Sequence, residues 1–164
     1  MEIFQDALFA AIAAIGFASI SRPPRRAYLY CGLIAAVGHG LRFALMSPAY
    51  GPVVHIVPAT FAASFVIGVL AVFLSAVARF PAETCIYPAL LPMIPGIYAY
   101  KAFGGLVMCV LRTGREAFDY YFYQFAYNGF TCTCILLCMV VGATLPIFIF
   151  KKVSFQATRQ GENH

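Results

Sequence analysis

Apolar runs alternate with short polar breaks along the whole chain, and the breaks carry most of the charge. Residues 3–20 form a first run that stops at SRPPRR, where Pro23 and Pro24 forbid helix continuation. Residues 27–47 form a second, closed by Ser47 and Pro48. Pro48, Gly51, Pro52 and Pro58 then supply turn chemistry over residues 48–58. A third run covers 57–78 and ends in a short loop around Arg79, Pro81 and Glu83. The fourth covers 84–111 and the fifth 119–150. A bilayer crossing takes about 20 apolar residues as a helix. The pattern therefore predicts an all-α integral membrane protein with five transmembrane helices in a domain over residues 1–152, followed by a polar tail over 153–164. A four-span arrangement, with the first segment lying on the membrane surface, is the alternative.

The fourth run is unlike the others. Its middle reads YPALLPMIPGIYAYK, with Pro88, Pro92 and Pro95 each lacking a backbone donor and Gly96 behind them. The fourth helix is thus expected to be discontinuous between Pro92 and Gly96, with a new half-helix running from Ile97 to about Leu111. Lipid cannot satisfy the freed N–H and C=O groups, so such breaks are tolerated where they line a cavity or lie within protein. The amides of Gly96 and Ile97 at the new N-terminus would favour an anion, and Lys101 adds positive charge little more than one turn on. A proline kink that only shapes packing is the competing reading.

Composition sharpens the class. Hydrophobic residues make up 62% of the 164 residues and charged ones 10%, against roughly 25% charged in a soluble domain. In such a chain the net charge of +5 reports topology before it reports any affinity for nucleic acid, and no nucleic-acid partner is expected. Arg22, Arg25 and Arg26 lie in the first loop, Arg79 in the third, and Lys151, Lys152 and Arg159 at the C-terminal end. These regions share one side, which the basic excess marks as cytoplasmic. The expected location is the inner (plasma) membrane, with the N-terminus outside and the C-terminus cytoplasmic. Glu2 and Asp6 near the start speak against a secretory signal, which needs a basic n-region.

Few polar groups fall inside the spans. His39 and Arg42 in GHGLRFALM are three apart and share a helix face. An intramembrane arginine faces a cavity or a partner unless it snorkels to the interface. His39 and Asp6 are candidates for carrying a proton, against packing for the histidine and helix-end solvation for the aspartate. On the fifth span Tyr120, Gln124, Asn128, Thr131, Cys138 and Gly142 line one face, which packs against a helix or borders a water path. Cys132, Cys134 and Cys138 do not match zinc spacing. No Ser-His-Asp set, phosphate loop or carboxylate pair points to an enzyme, and no metal or cofactor is expected.

The segments GFASISRPPRRAY, GHGLRFALM, PALLPMIPGIYAYKA and YNGFTCTC resemble the threonine/serine exporter family, most closely its small stand-alone membrane subunit, the YjjB-like half. The resemblance runs from about Phe4 to Lys152. Its most specific motif is P-x-I-P-G at Pro92, Ile94, Pro95 and Gly96, with Lys101 at a position often basic in the family. It implies export of small amino acids, or of dicarboxylates such as succinate in two-subunit versions. It also implies a larger partner subunit with five further spans. It supplies no agreed catalytic set. The residues put forward for a small carboxylate substrate are Pro92, Pro95, Gly96, Ile97, Lys101, Arg42 and Asn128, with His39 and Asp6 for proton coupling. Besides the lipid bilayer and the larger subunit, self-association into a homo-oligomer stays open. The alternative function is a non-transporting assembly subunit, in which prolines, glycines and polar stripe serve helix packing alone.

Overall fold

The computed structural model describes residues 2–78 and 80–151. Arg79, Lys152, Arg159 and the tail at 153–164 lie outside the described residues. Six helices follow one another: α1 (Glu2–Ser21), α2 (Arg25–Met46), α3 (Ile56–Ala78), α4 (Glu83–Leu90), α5 (Gly96–Leu111) and α6 (Arg115–Ile149), with a 3₁₀ turn (Leu91–Met93) after α4. Among the described residues there is no strand. α1, α2, α3 and α6 are each long and apolar enough to cross a membrane. α4 with its 3₁₀ turn and α5 qualify together, as a broken span or a re-entrant loop, and counted as one span they bring the number among the described residues to five.

The chain divides into two compact units. The first contains the residues up to Met93 and the chain from Cys138 onward; the second is Ile94–Leu137.

Small residues build the first unit. Apolar lipid tails give helices no hydrophobic reason to associate, so close backbone approach and interhelical hydrogen bonds take that role. Ala10, Ala14 and Ala18, spaced four apart, form a buried stripe along α1, and α1 packs on α2. A Cβ on Gly32 of α2 would meet Ile15 Cδ1 of α1 at 3.0 Å, and one on Gly38 would collide with Ile67 of α3. The end of α6 closes on α3 equally tightly. A Cβ on Gly68 would stand 2.5 Å from the Ala143 carbonyl, and Gly142 lies against Ser64. The Ser64 hydroxyl lies within hydrogen-bond reach of the Phe61 and Cys138 carbonyls, at 3.0 and 3.3 Å.

α4 lies alongside α2, and its contacts follow from its prolines. Pro88 has no N–H to give the Thr84 carbonyl one turn back. The Cys31 thiol of α2 donates to that carbonyl instead, at 3.5 Å. Cys31 and Cys85 sulfurs also meet at 3.5 Å in the core. Further along, Arg42 of α2 reaches Met93. The two contacts advance together along both chains, so α4 runs parallel to α2.

The second unit is a helical hairpin. Gly105 of α5 allows the close approach of α6: an added Cβ would meet the Phe125 amide nitrogen at 2.8 Å and the Tyr121 carbonyl at 2.9 Å. α6 begins at Arg115, four residues earlier than the apolar pattern predicts. Gly114, at φ +125°, turns the chain into the helix, and Glu116 in the first turn suits the positive end of the helix dipole.

Candidate functional site

The break has a definite geometry. Pro95 sits at φ −78°, ψ 60°, and the Gly96 amide donates to the Ile94 carbonyl at 2.8 Å. That is an inverse γ-turn centred on Pro95. In a continuous helix the Gly96 amide would serve Pro92 and the Ile97 amide would serve Met93. The γ-turn diverts the first and ends the helix before the second. The carbonyls of Pro92 and Met93, at the negative end of a half-helix, therefore need other partners.

A cationic side chain of α2 stands at the second of those carbonyls. Arg42 Nη1 donates to the Met93 carbonyl at 3.1 Å. His39 is 7% exposed, and its Nε2 is buried without a hydrogen-bond partner. Its Nδ1 faces the Asp6 carboxylate of α1 at 3.2 Å. Asp6 and Arg42 also line a cavity of ≈ 370 Å³ with Phe43, Met46 and Ser47. The wall thus joins an anion and a cation to apolar surface and a hydroxyl. The half-buried Arg42 has a specific partner in the Met93 carbonyl.

The proposed site residues separate between the two units. Asp6, His39, Arg42 and Pro92 fall in the first, and Pro95, Gly96, Ile97, Lys101 and Asn128 in the second. Two of them differ from the expectation drawn from sequence. The Gly96 amide is engaged in its γ-turn, leaving the first-turn amide of Ile97 without a helix partner. Asn128 is buried, but its side-chain amide donates to the Gln124 carbonyl at 2.7 Å. Thr131 likewise bonds the Tyr127 carbonyl at 2.8 Å. The polar stripe of α6 is largely satisfied by its own backbone, the usual state of a packing or lipid-facing surface. Lys101 and Ile97 are both exposed.

Sequence reasoning paired Arg42 with a ligand and missed its carbonyl. Part of the signal was present: a break at Pro95 strands carbonyls of the preceding turn, which then need donors from a neighbouring helix. The contact of Cys31 with Cys85 had no such signal, since the two lie 54 positions apart.

The family model described as Threonine/Serine exporter, ThrE, matches residues 6–149. A protein of Haemophilus influenzae described as uncharacterized is 37% identical over 150 residues, covering 92% of this chain and 48% of that protein. The chain thus spans about half the length of that relative. No solved structure matches. The matched region runs from within α1 to the end of α6 and includes every residue of the cluster, Asp6 among them, and the chain belongs to the threonine/serine exporter family.

Proposed function

We propose that this chain is one half of a two-part secondary exporter. It would carry small carboxylate-bearing metabolites, either threonine/serine-type amino acids or dicarboxylates such as succinate, out across the inner membrane. The observation that carries this reading is Arg42, which holds the broken helix at Met93 and lines a cavity together with Asp6. Charged groups within membrane-spanning helices are expensive and often mark ion or substrate paths. In this reading the guanidinium receives the substrate carboxylate through its remaining donors, in the bidentate manner arginine favours. The first-turn amide of Ile97 and the Lys101 ammonium are further candidates for receiving a carboxylate. Asp6 and His39 couple the movement to a proton.

The other half of the path comes from a larger subunit with five spans, in keeping with the half-length match to the longer relative. One observation favours the second reading, an assembly subunit: the α6 stripe is satisfied internally and offers little to water. Reconstitution into proteoliposomes separates the two. Co-reconstituted with the larger subunit, this chain is expected to support efflux of labelled serine or succinate, and Arg42→Ala to abolish most of it. Full efflux by this chain alone would make it a self-sufficient homo-oligomer. A complex that assembles normally but whose efflux is indifferent to Arg42→Ala would assign it to assembly.

A further inference from the structure

The helical hairpin buries one side of α5. Ala102 and Gly105 are buried, and Gly105 meets the α6 backbone. Away from that side, Ile97, Lys101, Gly104 and Met108 follow one another at spacings of four, three and four, which sets them in one row along the helix. Ile97, Lys101 and Gly104 are exposed, and nothing lies within 4 Å of a Cβ placed on Gly104. The neighbouring surface exposes Tyr100, Phe103 and Val107, large side chains that suit lipid. The row does not suit it. Lys101 stands five residues after the start of α5 and ten before its end. At 1.5 Å per residue that end is about 15 Å away, farther than a lysine stem carries its charge by snorkelling. A charge inside a span takes a partner, and among the described residues Lys101 has no ion pair. Gly104, one turn on, leaves a notch into which a second helix can bring its backbone close.

We propose that this row is the docking surface for a transmembrane helix of the larger subunit, one that sets an aspartate or glutamate against Lys101. The charge of the row selects the occupant. A second copy docked symmetrically through the same face would bring Lys101 toward Lys101, and like charges in a span repel without screening by water. A second copy also offers no carboxylate at this depth among the described residues. Glu2 and Glu83 lie in the first turns of α1 and α4, Glu116 and Asp119 lie at the start of α6, and Asp6 faces His39. The helix must come from a different chain. The longer relative, of which this chain covers 48%, has roughly as much sequence again beyond the match. This inference rests on the two-part exporter reading for the existence of the larger subunit and gives that subunit a place of contact. Lys101 then receives a side-chain carboxylate, and Gly104 sets the distance of approach.

Photo-crosslinking in the co-expressed complex tests the contact. The substitution Ile97→p-benzoylphenylalanine should give an adduct with the larger subunit, and the same substitution at Phe103 should not. Peptide mapping of the adduct should find an acidic residue within about two turns of the attachment point, since Lys101 lies one turn from Ile97. Lys101→Ala and Gly104→Leu should each lower co-purification of the larger subunit on the order of tenfold, the scale of one strong interhelical contact. Thermal unfolding of this chain alone should not be weakened by either. Lys101→Arg should keep most of the association, because the charge remains. Neutralising the mapped carboxylate should reproduce Lys101→Ala. Adducts only with lipid, with a second copy or with another segment of this chain would overturn the proposal. So would a contacted helix without an acidic residue, undiminished co-purification of Lys101→Ala, or the absence of any complex. These measurements use no substrate. A complex that forms through another face leaves the export reading standing, and a cross-linked complex without efflux leaves the docking surface standing.

Discussion

Arg42 and His39 stand three residues apart on α2; Arg42 holds the Met93 carbonyl released by the break, and His39 faces the Asp6 carboxylate of α1. This arrangement explains how an arginine is tolerated well inside a span, since its charge meets the negative end of a half-helix and an acidic neighbour. It also ranks the cations. Arg42→Ala removes a cavity-lining charge and leaves the Met93 carbonyl without its donor. Substrate affinity should fall on the order of ten- to a hundredfold, the range for losing one charge-assisted hydrogen bond. Arg42→Lys should retain part of the binding, because the charge survives and the planar fork does not. Lys101 is exposed, and exposed charges contribute little. Lys101→Ala should therefore change affinity only a few-fold. Binding or efflux measured against substrate concentration, on samples checked for expression and monodispersity, reads all three. An Arg42→Ala protein with wild-type affinity would move the carboxylate site away from this cavity.

The helices show what their punctuation does. Pro23 and Pro24 end the α1–α2 turn as the sequence predicts, and Arg22 completes that turn at φ +45°. Pro88, by contrast, stays inside α4, because a thiol from α2 takes over the carbonyl it strands. Pro95 breaks the chain because its neighbours close a γ-turn around it. Glycine positions divide in the same way. A branched side chain at Gly68 would press on the Ala143 backbone, which cannot step aside as a flexible side chain could. Gly68→Val should destabilise the protein by about 1–3 kcal/mol, the usual scale for overpacking. Gly104 has nothing within 4 Å of an added Cβ. Gly104→Ala should be neutral or raise stability by up to ~1 kcal/mol through helix propensity. Thermal unfolding in one detergent compares the two, and equal melting temperatures would contradict the α3–α6 contact.

At the scale of the molecule, the arginine and lysine distribution predicts a cytoplasmic SRPPRR turn and an outward-facing loop between α5 and α6. In a background with the native cysteines replaced, a membrane-impermeant thiol reagent applied to intact cells should label Thr113→Cys and spare Pro24→Cys. The reverse pattern would invert the topology. Neither residue lies in the cluster around Arg42, so the test reads orientation alone.

The five spans, their approximate ends and the place of the break were legible in the chain. They rest on local properties: apolar length against bilayer thickness, missing proline donors, and charge confined to loops. Membership in an exporter family was legible from the same segments. The partner of each freed carbonyl was not. Whether Pro88 ends a helix depends on a cysteine 57 positions earlier reaching the carbonyl of Thr84. Whether Arg42 snorkels depends on Met93 lying beside it, 51 positions away. Asp6 reads from sequence as a helix-end residue, and only the packing of α1 on α2 brings its carboxylate to His39. Each is a long-range choice among partners that local sequence leaves equivalent. Packing decides it, because inside a bilayer a stranded polar group takes whatever donor or acceptor the neighbouring helix places within reach.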